Sequence, residues 1–194
     1  MIKAGITGII GSGKSVVSSV FQILGIPVYN ADEQAKIIMN TNKKVQNEII
    51  LNFGNDAYKN NRLNKQYIAS QIFNDNEKRN LINSIVHPAV KDNFIEWASQ
   101  QKTEICAIES ALIYESKFDD ILDVIIIVTS PQEVLIDRIC KRDNIEPSEA
   151  VKRINSQSFY NNTDIKPDYY LHNDDEHSII SQSLEIIKHI KEKW

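Results

Sequence analysis

Eight residues, "GIIGSGKS" from Gly8 to Ser15, restrict the architecture of this chain more than any other feature. They follow the apolar run "KAGIT" and open the helical stretch "GKSVVSSVFQILG". The spacing Gly-x4-Gly-Lys-Ser between a strand and a helix is that of a phosphate-binding loop. Glycines there let the backbone turn successive N–H groups inward, toward phosphate oxygens at the mouth of a helix. Gly8, Gly11 and Gly13 meet that need; Lys14 would neutralise charge on the terminal phosphates, and the Ser15 hydroxyl would join a Mg²⁺ coordination sphere. A chance glycine turn would produce the pattern in about one per cent of chains this long. The strand before it and the helix after it favour the functional reading.

Four apolar, β-branched segments read as buried parallel strands: "IKAGIT", "IPVYN", "EICAIES" and "DVIIIVT", with a weaker fifth, "DYYLHN", near the end. Helical segments follow each of them, which predicts an α/β sandwich around a mainly parallel sheet, with ligands gathered beyond the carboxyl ends of the strands. In the first helix Val16, Val20 and Leu24 share one face, and Gly25 marks the stop. Between Asp32 and Lys102 about seventy residues show helix-like pieces and no convincing strand, far longer than an ordinary crossover. This reads as a helical insertion, punctuated by the turns "NDAYKNN" and "FNDNE", with "VHPAV" marking a helix break. The closing "HSIISQSLEIIKHIKEKW" places Ile179, Ile180, Leu184, Ile187 and Ile190 near helical spacing, as a docked amphipathic helix.

The 194 residues suffice for one core with an inserted subdomain, and 42% hydrophobic with 25% charged residues excludes a disordered or fibrous chain. The longest apolar run, "VIIIV", is too short to cross a bilayer. The first strand runs directly into the glycine loop with no leader pattern before it, so the expectation is a cytoplasmic protein without membrane attachment. Cys106 and Cys140 lack metal or redox spacing and read as reduced core or subsurface thiols. A net charge of -4 argues against nucleic acid as a partner, though not against a small phosphate pocket.

Asp32, in "VYNADE", stands just past the second strand. Its carboxylate could accept a hydroxyl proton from a phosphoryl acceptor, or it could cap a helix beginning around Glu33; spacing leaves both open. The third strand ends "IESALIYE", where Glu109 could hold Mg²⁺ or its water, Glu115 is a second candidate, and a solvated strand end is the bland alternative for each. "DRICKRD" sets Arg138 and Arg142 four apart on one helix face, able to clamp phosphates in a closing flap or simply to keep a surface helix soluble. No Asn/Thr-Lys-x-Asp motif follows a late strand, which weakens a GTP-switch reading.

In order, "GITGIIGSGKSVV", "VYNADEQAK", "RLNKQYIASQIF", "LINSIVHPAV", "IESALIYE", "DRICKRDNIEPSEAVKRINSQ" and "DYYLHND" resemble the dephospho-coenzyme A kinase family over nearly the whole chain. The resemblance implies transfer of the γ-phosphoryl group of ATP to the ribose 3′-hydroxyl of dephospho-coenzyme A, with Mg²⁺. It matches Asp32 to the family's catalytic base, and Gly11, Ser12, Gly13, Lys14, Ser15 and Val16 to the ATP loop. Arg138 and Arg142 match lid arginines, His87 before Pro88 matches the acceptor-binding His-Pro, and Asn173 matches an asparagine near the adenine. Tyr114 and Glu115 fall in the acceptor-site motif. Four departures stand out: Val16 for Thr; Glu109, Ala111 and Tyr114 within Asp-x-Pro-Leu-Leu-Phe-Glu; Lys65 for an arginine, which loses the bidentate fork; and Leu135 for a glutamine.

The implied architecture is a single three-layer P-loop kinase domain over residues 1–194, with a five-stranded parallel sheet, a helical acceptor-binding insertion at about 31–103 and a lid at about 136–160. The implied partners are small-molecule substrates, with the chain a monomer or weak homo-oligomer. Two rivals remain: another small P-loop kinase acting on a nucleoside monophosphate or small metabolite, and a non-catalytic ATP sensor presenting a surface to a protein.

Overall fold

The computed structural model describes residues 1–73, 75–157 and 166–193. Strand β1 (Ile2–Thr7) leads through the glycine loop into α1 (Lys14–Ile23), and β2 (Val28–Asn30) leads into α2 (Ala31–Thr41). Helix α3 (Lys43–Phe53), a small hairpin of β3 (Tyr58–Lys59) and β4 (Arg62–Leu63), α4 (Lys65–Ile72) and the long α5 (Asn76–Ser99) follow. The remaining elements are β5 (Ile105–Glu109), β6 (Val124–Thr129), α6 (Gln132–Asp143), α7 (Pro147–Asn155), β7 (Tyr169–His172) and α8 (Ile179–Lys193). They form two compact units, Met1–Tyr29 with Gln101–Trp194, and Asn30–Gln100.

The first unit carries the parallel sheet, in the order β2-β5-β1-β6-β7, and its five strands lie in the five segments whose composition predicts them. Central β1 pairs with β5 on one side, Ile6 opposite Glu109, and with β6 on the other, Thr7 opposite Ile127. Two aspartates pin the register where strands begin. Asp123 accepts from the Lys3 N–H at 2.7 Å and Asp168 accepts from the Ile125 N–H at 2.9 Å. Both faces of a parallel sheet are covered, which is why "VIIIV" carries no polar alternation: Val124, Ile126, Ile127 and Val128 are all buried. No described helix is long and apolar enough to cross a membrane.

Helices α1 and α8 pack on the sheet core; α1 turns a different face inward from the one that spacing suggests, while α8 keeps Ile179, Ile187 and Ile190 of the expected face against the core but not Ile180 and Leu184. In α1 the buried residues are Val17, Ser18 and Phe21, while Val16 is exposed. In α8 they are Ser183, Ile186 and Ile190, while Ile180 and Leu184 face outward and Ile179 and Ile187 are half-buried. Both inward faces carry a serine. Two apolar residues per turn make the phase ambiguous in one dimension, and the sheet and the packing of α1 against α8 select the buried face. A second apolar cluster forms where α6 and α7 meet, from Leu135, Ile139, Ala150 and Ile154 with Ile9 and Ile10 of the glycine loop packed against it. Cys106 is buried and Cys140 half-buried, both as free thiols.

In the second unit, polar side chains start each helix. Asn30 caps α2, Asn42 caps α3 through the Lys44 and Val45 N–H groups, Asn64 caps α4, and Asp75 caps α5. Two expectations are corrected here. The insertion is not strand-free, since Tyr58–Lys59 pairs antiparallel with Arg62–Leu63 around Asn60 and Asn61, both with positive φ. Nor does "VHPAV" break a helix: Pro88 lies inside the 24-residue α5. An internal proline costs about 3 kcal/mol through a missing N–H and a ring clash. Against that, Ile82, Val86, Val90, Phe94 and Ala98 form one buried stripe along α5, while Pro88 is on the exposed side.

The phase of α8 is directly testable. Ile186→Ala should lower the unfolding free energy by about 2–5 kcal/mol in urea titration, whereas Leu184→Ala should change it by about 0.5 kcal/mol or less.

Candidate active site

The glycine loop crosses the carboxyl end of β1, and its shape is imposed from several sides. Gly13 caps α1 with φ 87° and ψ 29°, in the left-handed region. A Cβ there would also collide with the side-chain amide of Asn173, so the position excludes every other residue twice over. The Ser12 carbonyl accepts from Asn173 Nδ2 at 2.8 Å and from Ser130 Oγ at 3.2 Å. On the other side of the loop, the Ile10 N–H donates to Gln157 Oε1 at 2.6 Å. Holding the Ser12 carbonyl outward constrains the loop backbone around it, the arrangement that an anion-binding turn requires.

Asn173 is buried just past β7, and its own carbonyl accepts from Ser130 Oγ at 2.7 Å and Arg138 Nη1 at 3.2 Å. Arg138 further donates to Ser130 Oγ at 3.1 Å, to Asn173 Oδ1 at 3.3 Å and to Asp175 Oδ1 at 3.3 Å. Ser12, Ser130, Asn173 and Arg138 thus form one polar network from four separate segments. Arg138, matched to a lid arginine, and Asn173, matched to an asparagine near the adenine, are direct partners within it.

Lys14 donates to the carbonyls of Gly8 at 2.8 Å and Ile9 at 3.3 Å, so its ammonium lies over the loop. Arg142 makes a bidentate pair with Asp143, Nε to Oδ1 at 2.7 Å and Nη2 to Oδ2 at 3.0 Å, and Arg153 of α7 joins the same carboxylate at 2.6 Å. The Arg142 guanidinium holds the Asp143 carboxyl below the usual carboxylate range. Ser15 is exposed in the first turn of α1, beside Val16, and Glu109 ends β5 at the level of Ile6, two residues before Gly8. Tyr114 and Glu115 follow in the turns after β5. Leu135 is buried in the α6–α7 cluster, where its backbone carbonyl also lies close against Gly11. An apolar residue suits that position, because a glutamine amide there would need partners of its own.

Asp32, Lys65 and His87 belong to the second unit. Helix α2 begins at Ala31, and Asn30 Oδ1 accepts from the Glu33 N–H at 2.9 Å, so the cap is Asn30 and not Asp32. Asp32 sits exposed in the first turn, where a carboxylate is favoured by the helix dipole. Lys65 is the exposed first residue of α4, and His87 is half-buried in α5, where burial lowers its pKa and favours the neutral ring. Reading the sequence misses Ser130, Asp143, Arg153, Gln157 and Asp175. Only Ser130 carries a local signal: it is a hydroxyl at the carboxyl end of a buried strand, where ligand sites of such sheets gather. Spacing says nothing of the others.

Removing the loop brace has a measurable cost. Asn173→Ala leaves the buried Ser12 carbonyl with one donor fewer and should lower stability by about 1–3 kcal/mol in urea. Asp175→Ala, which deletes an exposed end of the same network, should cost about 1 kcal/mol or less.

The family model described as dephospho-CoA kinase matches residues 2–178. The dephospho-CoA kinase of Bacteroides fragilis strain YCH46 is 36% identical over 193 residues, covering 99% of this chain and 94% of that protein. That of Porphyromonas gingivalis is 34% identical over 194 residues, covering 100% of this chain and 96% of its own. A solved dephospho-CoA kinase from Campylobacter jejuni has a TM-score of 0.71 at 22% identity over 98% of both chains, a likeness of fold. A parallel five-stranded sheet with its glycine loop braced beyond the strand ends and a family match over nearly its whole length lead to one conclusion: this chain belongs to the dephospho-CoA kinase family.

Proposed function

We propose that this chain transfers the γ-phosphoryl group of ATP to the ribose 3′-hydroxyl of dephospho-coenzyme A, giving coenzyme A and ADP. The observation that carries this reading is the braced loop Gly8–Ser15 in a chain whose match to the kinase family runs over residues 2–178. In the transfer, a bond forms between the ribose oxygen and the γ-phosphorus, the bond from that phosphorus to the bridging oxygen breaks, and the hydroxyl proton passes to a base.

The loop N–H groups and Lys14 bind the donor phosphates. Lys14 already lies over the loop, donating to the Gly8 and Ile9 carbonyls, so a phosphate bound there meets an ammonium that needs little travel. Arg138 holds Asn173 beside the loop, Arg142 offers a guanidinium to transferring charge, and residues 136–157 act as the lid. The last three residues of the expected lid, 158–160, lie outside the described residues. Asp32 serves as the base. Among the described residues no hydrogen bond engages its carboxylate, and it is not consumed as a cap. The second unit is the acceptor-binding insertion, with Lys65 and His87 on it, and Tyr114 and Glu115 belong to the acceptor-site motif that follows β5.

Ser15 and Glu109 suit Mg²⁺, since a hydroxyl and a carboxylate are the hard oxygen donors that this ion takes alongside water and phosphate. The ion would supply neutralisation of the charge on the transferring phosphoryl group. Val16 exposes an apolar side chain next to Ser15 and its N–H donates to the Gly13 carbonyl at 3.0 Å, so its difference from threonine leaves the Ser15 hydroxyl intact.

Offered ATP with dephospho-coenzyme A, AMP, CMP and shikimate in turn, the protein should release ADP fastest with dephospho-coenzyme A. Preference for AMP or CMP would overturn the assignment, and tight ATP binding without acceptor-dependent turnover would favour a sensor. Asp32→Asn should lower kcat by about 10²–10⁴-fold, the range of a lost general base, with the KM for ATP within about twofold.

A further inference from the structure

The hairpin of the second unit places positive charge where folding alone disfavours it. Lys59 and Arg62 are direct cross-strand partners in the two-residue ladder, and like charges opposite each other destabilise a hairpin. Lys65 opens α4, whose first turn carries no acid, and a cation at that end opposes the helix dipole. No acidic residue occurs from Ala57 to Phe73, although the chain as a whole is acidic. All three side chains are exposed, and among the described residues none of them forms an ion pair. They line one open depression of about 520 Å³ with Asn60, Asn64 and Gln66.

The backbone under these cations is held firmly. Tyr58 Oη donates to the Met39 carbonyl at 2.6 Å, the Leu63 N–H to Asn40 Oδ1 at 2.9 Å, and the Asn64 N–H to the Ala57 carbonyl at 2.8 Å. Side-chain flexibility remains, but the three charges cannot separate by melting the turn without breaking these bonds. A rigid mount for three mutually repelling cations is the pattern of a preorganised anion site, in which the ligand removes the repulsion that the free protein sustains.

We infer that the Lys59–Arg62 pair, with Lys65, binds the diphosphate of the acceptor substrate. A diphosphate presents two adjacent anionic groups, which fits a guanidinium fork beside an ammonium better than one isolated carboxylate would. This rests on the acceptor being dephospho-coenzyme A, which carries such a diphosphate between its pantetheine arm and its adenosine. It adds Lys59 and Arg62 to the acceptor site as specificity-determining residues.

The test is the double variant Lys59→Gln/Arg62→Gln, compared with wild type in steady-state kinetics and thermal melting. The KM for dephospho-coenzyme A should rise about tenfold or more on loss of charge-assisted contacts, with the KM for ATP within about twofold. The melting temperature should stay level or rise, since a repulsive pair is gone. Inorganic pyrophosphate should compete with the acceptor in wild type and lose that competition in the variant. Lys59→Glu, which restores an attractive cross-strand pair, should be at least as stable and bind acceptor more weakly still. An unchanged acceptor KM in a folded variant, or equal competition by pyrophosphate in both proteins, would overturn the inference while leaving the kinase assignment standing. If wild type fails to use dephospho-coenzyme A at all, both fall together, and the acceptor panel identifies that case before any variant is made.

Discussion

A single backbone carbonyl, that of Ser12, ties together the parts of the first unit on which nucleotide binding depends. Its two donors come from the ends of β6 and β7, and the second donor, Asn173, is itself gripped by Arg138 from α6. Such convergence needs a parallel sheet. Only when β1, β6 and β7 run the same way do their carboxyl ends share one edge, so that residues 118 and 161 positions from Ser12 can reach it. The brace also explains the glycine at position 13, since the amide that holds Ser12 fills the space that a side chain there would occupy.

The cations around this loop are not free charges waiting in solvent. Lys14 rests on loop carbonyls, Arg138 on Asn173 and Asp175, and Arg142 on Asp143 with Arg153 alongside. These are exposed or half-exposed contacts, worth little individually, so a phosphate can displace them without a large penalty. They still have an effect. They fix side chains that would otherwise pay rotamer entropy on binding, and they prevent like charges from spreading the loop and the α6–α7 corner apart.

The strands were legible because burial on both faces demands uninterrupted apolar runs, and "KAGIT" before "GIIGSGKS" leaves little freedom. Helix existence was legible too, and so was the loop. Helix phase was not: Val16 and Leu184 look as apolar as Val17 and Ile186, and only the sheet and the α1–α8 contact select between them. Pro88 misleads for a related reason. Its local cost is real, yet a stripe from Ile82 to Ala98 is buried along the whole helix, and tertiary burial outweighs a single missing hydrogen bond. In the candidate site, residues with their own chemical signature, Lys14, Ser15, Asp32 and the two arginines of α6, stand out in the sequence. Residues that act by position, Ser130, Gln157 and Asp143, do not.

Sequence alone therefore determined the fold class, the location of the loop and the kind of ligand it holds, since each follows from local pattern: apolar periodicity, glycine spacing, and the order of motifs along the chain. The tertiary structure decided which faces are core, that Asn30 rather than Asp32 caps α2, and that Arg138, Ser130 and Asn173 form one network around Ser12. The physical reason is range. Periodicity and capping are governed by residues within a turn or two, whereas the brace joins hydrogen-bonding groups more than a hundred residues apart, and nothing in either segment by itself specifies the other.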